Sequence, residues 1–105
     1  MQMQEEKILS RIEKICHDIW SDKDGASQQA GKFIMDSIPV LQNILHEIQT
    51  GQIHNISENT LLQTSNALME GLQYKDQFYL ADILYFELNE IIKIYEKEKN
   101  ENEPV

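Results

Sequence analysis

Apolar side chains recur along this chain at intervals of three and four, broken by short polar links. That spacing predicts four amphipathic helices. The first covers residues 4–21, where Ile8, Leu9, Ile12, Ile15, Cys16, Ile19 and Trp20 make one stripe backed by charge. Asp22-Lys23-Asp24-Gly25 ends it. The second, 27–50, turns Ala30, Phe33, Ile34, Ile38, Leu41, Ile44, Leu45 and Ile48 inward. Pro39 lies inside this run and brings no backbone donor, so the helix is either kinked or split there. The stripe keeps its phase across the proline, which favours one kinked helix. Gly51 falls where a left-handed C′ residue belongs. Gln52 to Ile56 reads as a polar link, and Ser57 as the N-cap of a third helix, 57–73, that buries Leu61, Leu62, Leu68, Met69 and Leu72. Gly71, near the end of that helix, suggests a close-packed neighbour.

Asp76 is placed to cap a fourth helix, 76–97, and this one does not divide cleanly into two faces. Thirteen apolar residues lie between Phe78 and Tyr95, too many for a single stripe. At 100° per residue, Leu80, Leu84, Leu88, Ile91, Ile92 and Tyr95 share a core arc. Tyr79 and Phe86 fall near the polar face with Ile83 beside them, so either the other helices wrap widely around this one or these three are the candidate partner or dimer interface. Glu87 falls inside the apolar arc. It is expected either to reach solvent from the boundary or to be a buried acid held by hydrogen bonds.

Four such segments joined by short links imply an all-α, antiparallel bundle of four helices. Residues 1–98 would form one domain, and 99–105 a disordered acidic tail. The scarcity of turn residues, 4 Gly and 2 Pro in 105, agrees with few connections and argues against a β-sandwich.

Charge narrows the function. Eighteen acidic against nine basic residues give a net charge of −9, and only one of the nine, Arg11, is an arginine. No basic face is available to displace phosphate counterions or to lie on an anionic membrane, so neither nucleic acid nor membrane is expected as a partner. The lone Cys16 forms no intramolecular disulfide, and no segment is apolar for long enough to span a bilayer. The N-terminus is polar and acidic where a signal peptide would be basic and then apolar, so a cytoplasmic protein is expected.

Candidate chemistry is sparse. The three histidines, His17, His46 and His54, lack the Glu-x-x-His spacing of metal sites in bundles. Cys16 sits in the first apolar stripe, where burial keeps a thiol protonated and inert. Glu87-Leu88-Asn89-Glu90 has the Glu-x-x-Glu spacing of magnesium-binding helical pyrophosphatases, but the second acidic pair is missing. There is no Gly-rich phosphate loop and no Ser/His/Asp set. No cofactor, metal or small-molecule substrate is expected.

One stretch resembles a known group. Ala67-Leu68, Lys75-Asp76, Leu80-Ala81-Asp82 and Tyr85-Phe86-Glu87-Leu88 resemble the C-terminal hairpin of short all-helical proteins of Gram-positive bacteria, built as Lys-Asp, Leu-Ala-Asp and Tyr-x-Glu-Leu. That group carries no established activity, and some members accompany motility or surface-glycosylation genes. The resemblance implies a helical hairpin over 58–96 and no catalysis. The same stretch is similar to half a tetratricopeptide hairpin, but one unit without repetition does not make that fold.

The first expectation is therefore a non-catalytic interaction protein that meets a protein partner, or a second copy of itself, along Tyr79, Ile83 and Phe86. A different class, a small enzyme or metal-binding bundle, would have to gather Asp82, Glu87 and Glu90 into one concave site. An acidic decoy of nucleic acid would need carboxylates regularly spaced on one face, and they are scattered instead.

Overall fold

The structure, a computed structural model, describes residues 5–102 and is all-α. α1 (Glu5–Trp20), α2 (Ala26–Gln49) and α3 (Glu58–Gln73) precede a long last helix. This last helix runs continuously as α4 (Gln77–Asp82), a π-helical segment (Ile83–Leu88) and α5 (Asn89–Asn102). Counting it once, the described residues form four helices and no strands. α1 packs on α2, α2 on α3, and both α1 and α3 on the last helix.

Each connection is closed by backbone hydrogen bonds of the same kind. After α2, Gly51 (φ 80°) donates to Ile48 and Gln52 to Glu47, which satisfies carbonyls the helix leaves open. After α1 and α3 the left-handed position is held by Asp22 and Lys75, both at φ 55°. The two caps expected from sequence are present: Ser57 Oγ accepts from Thr60 N–H at 3.0 Å, and Asp76 Oδ1 from Tyr79 N–H at 3.1 Å.

Pro39 does not split α2, which is helical throughout Ala26–Gln49. The carbonyl left without its donor belongs to Met35, and both residues sit on the exposed face. Gly71 is buried against α4, where an added Cβ would lie 2.7 Å from Leu80 Cγ. That is the close approach its position suggests.

The core contains Ile8, Ile12, Ile15, Cys16 and Ile19 of α1, Phe33, Ile34 and Ile44 of α2, and Leu61 and Leu68 of α3. The last helix adds Leu80, Leu84, Leu88, Ile91, Ile92 and Tyr95. Leu62 and Met69, expected inside, are exposed, and so is Trp20. The stripes of α1 and α3 are wider than the surfaces their neighbours cover.

The π segment has a physical cause in the sequence. Leu80, Leu84, Leu88 and Ile92 repeat every four residues, and on an α-helix each such step overshoots a full turn by about 40°. Widening the middle of the run, with Asn89 N–H bonded to the carbonyl of Leu84 five residues back, lessens that drift and keeps all four buried.

A disordered tail is expected from residue 99, but residues 99–102 continue the last helix, whose Glu98 and Lys99 reach back to the rest of the fold. Residues 103–105 of that expectation lie outside the described residues.

Candidate interaction site

The expected interface of Tyr79, Ile83 and Phe86 is only partly brought together. Phe86 is 63% exposed and Tyr79 exposed, but Ile83 is 6% exposed and belongs to the core. Ile83 precedes Leu84 at the start of the π segment, which packs against both α1 and α3, and it is covered there.

Two residues that the periodicity did not place on this surface, Trp20 having been expected inside, complete the exposed group. Trp20, on the last turn of α1, meets Tyr85 edge to face, with ring centroids 5.3 Å apart and planes at 68°. Tyr85 in turn meets Phe86 at 5.1 Å and 79°. Such edge-to-face pairs are a favoured aromatic geometry, and here they hold three rings in a chain open to solvent. The π segment positions two of them, and α1 supplies the third. The corner is anchored beneath by Cys16, one turn before Trp20, whose thiol donates to the carbonyl of Ala81 at 3.4 Å. Burial, reinforced by the negative charge of Asp82, pushes the Cys16 thiol up to about 11, so it stays protonated and unreactive.

Carboxylates flank Phe86 along its helix. Asp82 and Glu90 stand one helical turn before and after Phe86, both exposed, and neither makes an ion pair with any described residue. Glu87 is exposed and accepts from Thr64 Oγ1 at 3.4 Å, so of its two expected forms it is the boundary carboxylate reaching solvent and not the buried acid. It stands at the boundary, where α3 leaves it open to water. Asp82, Glu87 and Glu90 do not converge. Among the described residues no group of three or more His, Cys, Asp or Glu side chains is arranged to hold a metal ion.

No protein-family model, curated protein or solved structure matches this chain. The corner's chemistry therefore rests on its own residues.

The buried acids lie elsewhere. Glu47 Oε1 accepts from Tyr95 Oη at 3.2 Å, from Lys99 Nζ at 3.2 Å and from Asn43 Nδ2 at 3.1 Å. Glu98, 4% exposed, accepts from the backbone N–H groups of His54 and Asn55, at 2.6 and 2.8 Å. These two carboxylates fasten α5 to the end of α2 and to the link that follows it. Ile53 and Ile56 of that link are buried, so it is less polar in its role than in its composition. Their hydrogen bonds join α2, α5 and the link between α2 and α3, which is what holds the end of the last helix in place.

No helix among the described residues is long and apolar enough to cross a membrane.

Proposed function

We propose that this is a small, non-catalytic, cytoplasmic interaction protein, an adaptor or regulator, whose aromatic corner receives an arginine- or lysine-bearing segment of a protein partner. The observation that carries the reading is the exposed chain of Trp20, Tyr85 and Phe86 set beside the unpaired carboxylates of Asp82 and Glu90. Aromatic faces attract guanidinium and ammonium groups, and carboxylates at their rim add direction to that attraction. Aromatic residues are also enriched where proteins meet, and removing each large apolar side chain from water contributes roughly 1.5–3 kcal/mol. The net charge of −9 steers a basic segment toward the protein over longer range. Pairing of two copies through this same corner is disfavoured, because it would set Asp82 and Glu90 against their own equivalents.

Trp20 is the single tryptophan of the chain, so its fluorescence reports the corner directly. Titration with a peptide alternating arginine and leucine is expected to give a saturable change. Replacing arginine by citrulline in the peptide, or introducing Phe86→Ser in the protein, should weaken binding by about ten- to thirty-fold. Equal response to the arginine and citrulline peptides would discard the proposal.

A further inference from the structure

A second apolar surface lies between α2 and α3, away from the rings. It is an open groove of about 270 Å³, walled by side chains that include Ile38 and Leu45 of α2 and Leu62 and Met69 of α3. Among the described residues its polar lining is Gln42 and Ser65, and no charged side chain of theirs enters it. A closed cavity of about 150 Å³ accommodates a benzene molecule, so this groove has room for whole side chains.

Three observations indicate what fills it. The first is charge. The chain carries −9 overall, and most faces of two copies would bring carboxylates together. α3, by contrast, contains no Lys, Arg or His, and its only acids are Glu58 and Glu70. Glu58 accepts from Gln49 Nε2 at 2.8 Å. The lining therefore offers nothing to draw a basic partner and nothing to repel a second acidic chain. Charge across the rest of the two surfaces is screened beyond about 8 Å at physiological ionic strength.

The second is shape. Leu62 and Met69 are seven residues apart on α3, two turns along one face, and each is about half exposed beside the groove. They are knobs next to a hole, the arrangement that a twofold axis makes self-complementary. The third is the polar pair in the lining. An amide and a hydroxyl each both donate and accept, so Gln42 and Ser65 can bond to their own equivalents, which two carboxylates cannot do.

We propose that two copies of the chain pair through this groove, each placing Leu62 and Met69 against the other's α2. This goes beyond the aromatic corner and does not depend on it. The pairing leaves both corners open.

Sedimentation equilibrium of the full chain from low to high micromolar concentration tests the proposal. The wild type should approach the mass of two chains, and Met69→Lys should return it to the mass of one while its helical circular dichroism is retained. Added salt should leave the dimer intact or strengthen it, because it screens repulsion between acidic chains and no ion pair holds the interface. That second measurement needs no variant, so it stands even if Met69→Lys fails to fold. Phe86→Ser should leave the mass at two chains. A wild-type monomer throughout the range, a dimer that salt dissociates, or a dimer lost in Phe86→Ser but kept in Met69→Lys would each overturn it.

Discussion

Two regions of the last helix treat carboxylates in opposite ways. Along α5, Glu47 and Glu98 are buried and their oxygens accept hydrogen bonds from a phenol, an ammonium, an amide and two backbone N–H groups. Around the π segment, Asp82 and Glu90 face water and make no ion pair with any described residue, on the helix that carries two of three exposed rings. Burying a charge is tolerable only where such partners are fixed, so the α5 end has its bonding settled within the chain. The π end keeps its bonding capacity outward. Within one continuous helix, the first arrangement fastens the fold and the second is available to a partner.

The largest effect should come from breaking the fastened end. Glu98→Ala leaves the His54 and Asn55 N–H groups without their charged acceptor. It is expected to cost about 2–4 kcal/mol, given that hydrogen bonds to charged groups contribute about 1.5–3 kcal/mol each and do not add fully. Phe86→Ser, on a surface most of which is already wet, should stay within about 0.5 kcal/mol. Urea titrations followed by circular dichroism give both values from the shift in midpoint. Equal losses would erase the distinction between the two ends.

Much of this was legible in the sequence, and the failures have identifiable causes. The four helices, the caps at Ser57 and Asp76, Gly51 at its C′ position and the inward set from Leu80 to Tyr95 followed from spacing alone. Glu98 was legible too: Leu84, Leu88, Ile91 and Tyr95 advance by four, three and four, and Glu98 comes three later on the same stripe. Composition obscured it, because a segment of Glu, Lys and Asn resembles a solvated tail until its tertiary partners are known. Glu47 likewise lies three residues after Ile44 in the α2 stripe. Ile83 was misassigned because a helical wheel with a fixed angle has no π segment in it. Trp20 looked buried because periodicity gives the width of an apolar stripe and not how much of it a neighbour covers. The same reason explains Leu62 and Met69.

A smaller effect sharpens the picture of the open end. If exposing rings loosened the structure beneath them, Cys16 would react readily. Its thiol is raised from 9.0 to about 11 by burial and by Asp82, so it is neutral at pH 8. Iodoacetamide at that pH should modify the folded chain at least about tenfold more slowly than the chain in urea. The sign of the linkage follows from the raised value. The neutral thiol's contribution to stability is complete below about pH 9, and it is lost as pH rises through about 11. Rapid labelling at pH 8 would mean that the open end opens to its core as well as to its surface.

The smallest effect lies in the pairs that belong to neither end. Asp18 accepts from Lys14 at 2.7 Å, and Asp36 from Lys32 at 3.0 Å and Arg11 at 3.4 Å. The hydrogen bonds from Lys14 and Lys32 are the main reason each carboxyl is held below the usual carboxylate range. A lowered folded-state value means that the carboxylate form stabilises the fold. The contribution is present above about pH 4, where the unfolded carboxyls are ionised, and is lost as pH falls through the lowered values. Acid also relieves the repulsion within a chain of net charge −9, so a simple melting profile mixes two opposing trends. The difference between wild type and Lys14→Met/Lys32→Met isolates the two lysine pairs, with Arg11 left on Asp36 in both. The gap in melting temperature should be small at pH 7, since both lysines are largely exposed and water screens their charge, and should close as the pH is lowered below 4. A gap that stays constant down to acid pH would show that the lysines do not act through the Asp18 and Asp36 carboxylates. The chain's ionic stabilisation would then reside in the buried carboxylates of the α5 end.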